Sequence, residues 1–317
     1  MYFDDLAKHH SDTDMNEIRR LKLKHLETFV EVARQMSVSR AAKVMNLTQP
    51  AVSRTLRELE DICGKQLVQK QGRGIKLSEF GDVFLRHAGS SLAAARNGLN
   101  ALTSTNMSDG PPVRVGALPT VSATIIPDAV AKYLKSGMLN RLKIVSGDNQ
   151  VLLNQLREGE LDMVMGRLPA PENMQGLIFE PIYRDKVVFV VAASHPLAGM
   201  LHMPVEAISA YPVMMPNKGS VIRPYVDRLF IEQGIAEPSQ MIDTVSDSFG
   251  RAFIRKYEAI WIISRGVVSA EIDSKEFTTL PIDTETTMGS VGLNIRAETE
   301  LSPAAEFFAD ILRNFNK

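Results

Sequence analysis

Leu23, Leu26, Phe29, Val30 and Ala33 recur every three or four residues, the spacing of one helix face that packs on a core. Val38, Ala41, Ala42 and Met45 repeat the pattern over a shorter stretch that stops at Asn46, a residue that tolerates a left-handed backbone. A third stretch follows. Thr48 can cap a helix, Pro50 suits a first turn whose N–H needs no partner, and Val52, Leu56 and Leu59 fall on one face. Gln49, Ser53, Arg54 and Arg57 lie off that apolar stripe, and side chains of these kinds reach base edges and phosphates in a major groove. Three helices in this order predict a helix-turn-helix whose third helix reads DNA. A plain helical bundle with exposed arginines is the other account of the same pattern.

Beyond it, Leu67-Val68-Gln69-Lys70 and Ile75-Lys76-Leu77 predict two short strands around the turn Gln71-Gly72-Arg73-Gly74. Such a wing would carry Arg73 at its tip, placed to reach a phosphate or the minor groove. From Ser78 the pattern is helical again, with Leu85, Ala88, Leu92, Ala95, Leu99 and Leu102 spaced 3, 4, 3, 4, 3. That is a heptad stripe on a helix of about 25 residues and about 37 Å, too exposed to stand without cover. The same helix of a second subunit is the economical partner, and the chain's own body is the other. Asp109-Gly110-Pro111-Pro112 then marks a hinge.

After Pro112 strands and helices alternate, which predicts an α/β fold. Strands are expected at Val113 to Ala117, Leu142 to Val145, Leu161 to Met165, Val187 to Val191, Val213 to Met215, Ile242 to Val245, Ala259 to Ile263 and Gly292 to Ile295. Helices are expected at Pro127 to Leu134, Val151 to Arg157 and Ser302 to Phe315, and from near Val221, Ser248 and Arg265. Two lobes are implied, each a sheet flanked by helices.

Leu26-Glu27-Thr28-Phe29, Ser39-Arg40-Ala41-Ala42, Gln49-Pro50-Ala51-Val52-Ser53 and Leu59-Glu60 resemble the DNA-binding signature of LysR-type transcriptional regulators. The resemblance covers the whole chain. It implies an N-terminal α+β winged helix-turn-helix, a long dimerising linker helix and a two-lobed effector domain like a periplasmic solute-binding protein. The corresponding boundaries are a disordered extension at 1–18, a DNA-binding domain at 19–80, linker helix and hinge at 81–110, and an effector domain at 111–317. Within the last, lobe 1 would take about 111–190 and 289–317, and lobe 2 about 191–288. Val68, where an aromatic is common, and Phe80, where a small residue is, depart from the family pattern.

Charge sharpens this picture. The formal net charge is −1, yet residues 19–80 carry 13 Lys and Arg against 6 Asp and Glu, a net +7 that leaves −8 elsewhere. A basic end on an acidic body places the contact with operator DNA at the N-terminal end. The apolar run Val187 to Ala193 is too short to span a bilayer, and Asp4-Asp5 stand where a signal peptide would be basic. A cytoplasmic protein without membrane contact is expected. Cys63 is the single cysteine and suits a small buried apolar position, and His9-His10 have no further spaced ligands, so neither metal nor cofactor is expected.

Ligands of open α/β sheets sit at the carboxyl ends of the strands, where helix N-termini offer free N–H groups. Thr120, Ser122 and Thr124 collect at one such end, Ser146, Asp148 and Asn149 at the next, and Arg167 at the third. Asn217, Lys218 and Ser220 follow one strand of the second lobe and Ser246, Asp247 and Ser248 another. Hydroxyls, amides and one arginine suit an anionic or polyhydroxy small molecule, although any single Ser or Asn could equally be a helix cap. The resemblance places Thr120 and Asn149 on effector-contacting positions, with Ser122, Arg167, Asn217 and Ser248 as further candidates.

Gly110 to Thr120 and Phe189 to Pro196 look similar to regulators of the protocatechuate operon and to sugar-responsive relatives. That implies an anionic aromatic-catabolism intermediate such as carboxy-muconate or protocatechuate, with a sugar or another small acid as the alternative. The resemblance also suggests a tetramer built as a dimer of dimers. No nucleophile elbow, zinc-spaced His/Glu set or complete dinucleotide fingerprint supports an enzyme, and an effector-independent architectural DNA protein would need no cleft.

Overall fold

The computed structural model describes residues 18–72, 74–103, 110–297 and 299–315. The expected extension before residue 18, Arg73 and the hinge residues 104–109 lie outside the described residues. The chain divides into two compact units, 1–105 with 157–160, and 106–156 with 161–317.

The first unit opens with α1 (Leu23–Gln35), α2 (Val38–Val44) and α3 (Gln49–Cys63). Local chemistry fixes each boundary. Met36 ends α1 in the left-handed region (φ 46°), the Ser37 hydroxyl accepts from the Arg40 N–H to start α2, and Thr48 with Pro50 starts α3. Asn46 takes a left-handed φ of 55° at the turn between α2 and α3. Phe29, Val52, Leu56 and Leu59 are buried where the helices meet. The wing follows as β1 (Val68–Gln71) antiparallel to β2 (Gly74–Leu77). Glu60 anchors its start by accepting from the N–H groups of Leu67 (2.8 Å) and Val68 (3.2 Å), and the Ile75 N–H donates to Met36 O at its far end.

Helix α4 (Glu79–Thr103) passes so close to the wing that a Cβ on Gly81 would lie 2.0 Å from Leu67 O, a position only glycine can fill. Its heptad stripe divides. Ala88 and Leu92 are buried in the three-helix core, with Leu85 packed at its edge and Phe84 edge-on to Phe29 at 5.4 Å. Ala95 is half-buried, Leu99 is 65% exposed, and the Leu102 side chain lies outside the described residues. The chain's own core thus covers the N-terminal half of the stripe and leaves Leu99 uncovered.

The second unit holds two five-stranded sheets. Lobe 1 contains β3 (Val113–Ala117), β4 (Leu142–Ser146), β5 (Met163–Arg167), β6 (Leu177–Asp185) and, after the other lobe, β12 (Gly289–Arg296), in the order β4-β3-β5-β12-β6. Lobe 2 contains β7 (Val187–Ala192), β8 (Val213–Met215), β9 (Met241–Asp243), β10 (Ile260–Ser264) and β11 (Phe277–Thr279), in the order β11-β7-β10-β8-β9. Strands β3, β4 and β5 are parallel, as are β8, β9 and β10, so each lobe has three strand ends pointing the same way. The apolar run of β7 pairs with β10 and β11, so the chain enters lobe 2 at Asp185–Val187, a few residues before the boundary expected near 190. It returns at Thr287–Gly289, close to the expected 289.

The helices of this unit are α5 (Pro119–Ser122), α6 (Ile125–Lys135), α7 (Asn149–Arg157), α8 (Arg223–Gln233), α9 (Asp247–Ile254), α10 (Ser269–Asp273) and α11 (Pro303–Arg313). In lobe 1, Tyr133 of α6 lies edge-on to Phe308 of α11 at 5.6 Å over the apolar face of β3, β5 and β12. In lobe 2, Trp261 and Phe189 are buried among Val226, Leu229 and Ile254.

Candidate functional site

The carboxyl ends of all six parallel strands converge on one cavity of about 240 Å³. Lobe 1 supplies Thr120 after β3, Ser146 to Asn149 after β4, and Arg167 at the end of β5. Lobe 2 supplies Pro216 after β8, Thr244 after β9, and Ser264 at the end of β10, with Asp247 at the start of α9. Leu118, Val221, Ile263 and Val267 make the apolar part of the wall. A small ligand here meets a largely apolar surface with a few convergent polar groups.

Arg167 is 1% exposed and organises the floor. Its Nη1 donates to Thr287 O at 3.1 Å and its Nη2 to Asp185 O, so one guanidinium ties together the two segments by which the chain passes between the lobes. The Tyr225 ring stacks near it, 5.3 Å from Cζ. Asp185 brings its carboxylate to 4.0 Å of Nη2. Burial pushes the Asp185 pKa up, and the Arg167 charge, the Gly266 N–H and nearby Ser264 hold that rise back. Burial likewise works against the charged form of Arg167, with Asp185 opposing it. The lobes meet directly here, since a Cβ on Gly266 would lie 2.9 Å from Thr120 O and 3.0 Å from Thr120 Cγ2.

Within the lining, Ser264 stands beside the Asp185 carboxyl and hydrogen-bonds to it. Thr120 and Asn149, at 6% and 7% exposure, line the cavity as expected. Ser122, Asn217 and Ser248 do not line it. The Ser122 hydroxyl donates back to Ala117 O and Leu118 O, Asn217 O closes a turn with the Ser220 N–H, and exposed Ser248 contacts Ser246, leaving Asp247 on the wall. Ser264 was not singled out from sequence. Its signal was a single hydroxyl closing the apolar run Ile260-Trp261-Ile262-Ile263.

On the first unit, Gln49, Pro50, Arg54 and Arg57 are exposed on α3, with Ser53 half-buried between them. Gln49 Oε1 accepts from the Ser39 hydroxyl of α2 at 3.1 Å, which joins the starts of the two helices into one polar surface. Arg57 Nε donates to Ser53 O at 3.2 Å. Lys70 and Lys76 are exposed on the wing strands. Among the described residues no helix is long and apolar enough to cross a membrane, and no cluster of three or more His, Cys, Asp or Glu could hold a metal.

Residues 23–82 match the model of the bacterial regulatory helix-turn-helix protein, lysR family, and residues 108–317 that of the LysR substrate binding domain. The chain belongs to the LysR family of transcriptional regulators, with a DNA-binding helix-turn-helix and an effector-binding domain. It is 49% identical over 284 residues to the HTH-type transcriptional regulator PcaQ of Agrobacterium fabrum, covering 90% of this chain and 91% of that one. It is 31% identical over 295 residues to the uncharacterized HTH-type transcriptional regulator YdcI of Escherichia coli, covering 93% and 96%. A full-length OxyR variant from Pseudomonas aeruginosa shares the fold at TM-score 0.58 and 20% identity, over 93% of this chain and 98% of that one.

Proposed function

We propose that this regulator is a cytoplasmic homo-oligomer, a dimer of dimers, that reads its operator with α3 and responds to an anionic aromatic-catabolism intermediate such as carboxy-muconate or protocatechuate. The observation that carries the effector part is the cavity at the six strand ends, lined by Thr120, Asn149 and the buried Arg167. Likeness to PcaQ over nine-tenths of the chain supports the same class. Thr120, Asn149 and Arg167 are the contacts from lobe 1. A ligand that binds the closed lobes better than the open ones shifts the equilibrium between them, and that shift is what the DNA-binding units would report. No catalytic step is assigned to the cavity.

Thr120→Val removes the hydroxyl with little change in volume. It should abolish the response of promoter output to the acid while leaving operator affinity within about twofold, since surface and core elsewhere are untouched. Operator binding and promoter output, each with and without carboxy-muconate or protocatechuate, check this. A variant that responds normally would take Thr120 out of the site.

On the DNA side, Gln49, Ser53 and Arg54 are assigned to base edges, and Arg57, Arg73 and the residues around Pro50 to the backbone. Arg54→Ala should cost roughly 1–3 kcal/mol of specific binding and relax the preference at one base position. Arg73→Ala should weaken binding evenly across sequences. Footprinting with a base-substitution series separates the two, and unchanged affinity and preference in Arg54→Ala would mean that α3 enters the groove in another register.

A further inference from the structure

Four residues of the first unit come from far along the chain. The turn Arg157–Glu160 follows α7, belongs with the unit built by residues 1–105, and leads on to β5. Its fit is close: a Cβ on Gly89 of α4 would lie 2.8 Å from both Arg157 O and Glu158 Cα, and a Cβ on Gly159 would lie 2.3 Å from Ala93 Cβ. Gly159 also takes a φ of 70°, so glycine serves there for conformation as well as for space.

Arg34, in the last turn of α1, fastens this turn. Its Nη2 donates to Glu158 Oε2 at 2.9 Å and to Glu160 Oε1 at 3.1 Å, and its Nη1 lies 3.5 Å from Glu31 of its own helix. The Glu158 side chain is 11% exposed, and burial pushes its pKa up while Arg34 opposes the rise. Glu27 lines the same hollow, so four glutamates share one guanidinium. Without that cation, α1 and the turn would present like charges to each other. The next residues of α1 hold the reader together: Gln35 O accepts from the Arg40 guanidinium of α2, and Met36 O accepts from the Ile75 N–H of the wing. The ion pairs therefore act beside the corner where α1, α2 and the wing meet.

The helix that delivers the turn starts at the effector cavity. Asn149, the first residue of α7, lines that cavity, and Leu152, Leu153 and Leu156 pack with Leu118 of the same wall. Arg296 of β12 donates to Leu156 O at 2.7 Å and to Leu161 O at 2.6 Å, one on each side of the turn, so the base of the turn follows the lobe 1 sheet. Only about 13 Å of helix, a rigid element, separates Asn149 from the turn.

We propose that Arg34 is a positioning residue of the effector response, which holds Glu158 and Glu160 and so passes movement of α7 at the cavity to the corner that supports α2 and the wing. The assignment rests on the effector reading proposed above and deepens it. Ligand-driven closure alters operator affinity only where the DNA-binding unit feels the difference between the two states, and these ion pairs are where it is felt.

The test uses the full-length protein as wild type, Arg34→Gln, Arg34→Lys, and Glu158→Gln combined with Glu160→Gln, with protocatechuate and 3-carboxy-cis,cis-muconate as the acids. Calorimetry reads acid affinity, and fluorescence anisotropy reads operator affinity with and without acid. Arg34→Gln and the double variant should bind the acid, and the operator without acid, within about threefold of wild type, yet lose most of the acid-dependent change in operator affinity. Arg34→Lys, which keeps the charge, should retain more of that change than Arg34→Gln. A full response in the double variant would overturn the role of Arg34 and leave the effector reading standing. Loss of operator binding without acid in the double variant would also overturn it, because the ion pairs would then serve the fold. Wild type that answers neither acid would overturn both.

Discussion

Replacing Arg167 by methionine is expected to cost the effector-binding unit about 3–5 kcal/mol, the largest single loss in that unit, because removing one member of a buried charge pair leaves the other uncompensated. The variant keeps an apolar side chain of similar length but strips donors from Thr287 O and Asp185 O, both at the segments that join the lobes. It also leaves the Asp185 carboxylate, 7% exposed, without the cation that holds its pKa rise in check. The pH dependence has a definite sign. A carboxyl whose folded pKa lies above its unfolded value of about 3.9 binds its proton more readily in the folded state, so its penalty is greatest at neutral pH. The penalty shrinks as pH falls through the folded pKa toward the unfolded one. Wild type shows this sign weakly and Arg167→Met strongly, so the gap between them should narrow from pH 7 to pH 5. Adding Asp185→Asn should recover part of the loss at pH 7. Urea unfolding of the three proteins at both pH values decides it, and a gap that stays constant with pH would mean that Asp185 is not the group left unpaired.

Helix boundaries in the first unit were legible because they rest on local chemistry: Asn46 in the left-handed turn, Thr48 and Pro50 at the start of α3, and glycines around the wing turn. The three-strand-end logic was legible too, and it placed Thr120, Asn149 and Arg167 in one cavity. Strand β6 was not. Leu177-Ile178-Phe179-Glu180-Pro181-Ile182-Tyr183-Arg184-Asp185 has a proline in its middle and three charges, which argue against a strand. It forms because it is an edge strand and because Pro181 falls at a register shift opposite Val291 and Gly292. Missing β6 meant missing Asp185, the partner of Arg167 from 18 residues away, and it put the expected lobe boundary inside β7. The third strand was expected at Leu161 to Met165 and pairs from Met163 to Arg167. Leu161 is 1% exposed but packs with Leu152, Leu153 and Leu156, so its apolar character reflects helix contact rather than strand pairing.

Leu92→Glu and Leu99→Glu, two positions of one heptad stripe, are expected to fail in different ways. Leu92 is 4% exposed and packs in the same cluster as Phe29, Val52 and Leu56. A carboxylate there would be buried beside Arg34, which lines the same hollow but is already paired with Glu158 and Glu160, at a cost of several kcal/mol, comparable with the whole stability of a small helical unit. The helix-turn-helix should therefore unfold, with DNA binding lost outright and helical circular dichroism reduced. Leu99 is 65% exposed and is not one of the residues packed in the N-terminal core. Within one chain its replacement should change stability by less than about 0.5 kcal/mol. In the proposed dimer the same residue would meet its counterpart near the far end of the paired helices, and two glutamates there repel while losing an apolar contact. Leu99→Glu should then stay folded, sediment as a smaller species at micromolar concentration and bind a two-site operator much more weakly than wild type. Sedimentation velocity and circular dichroism on both variants separate folding from assembly. An oligomer unchanged in Leu99→Glu would place the interface elsewhere, and a folded but dissociated Leu92→Glu would mean that Leu92 serves the partner subunit rather than its own core.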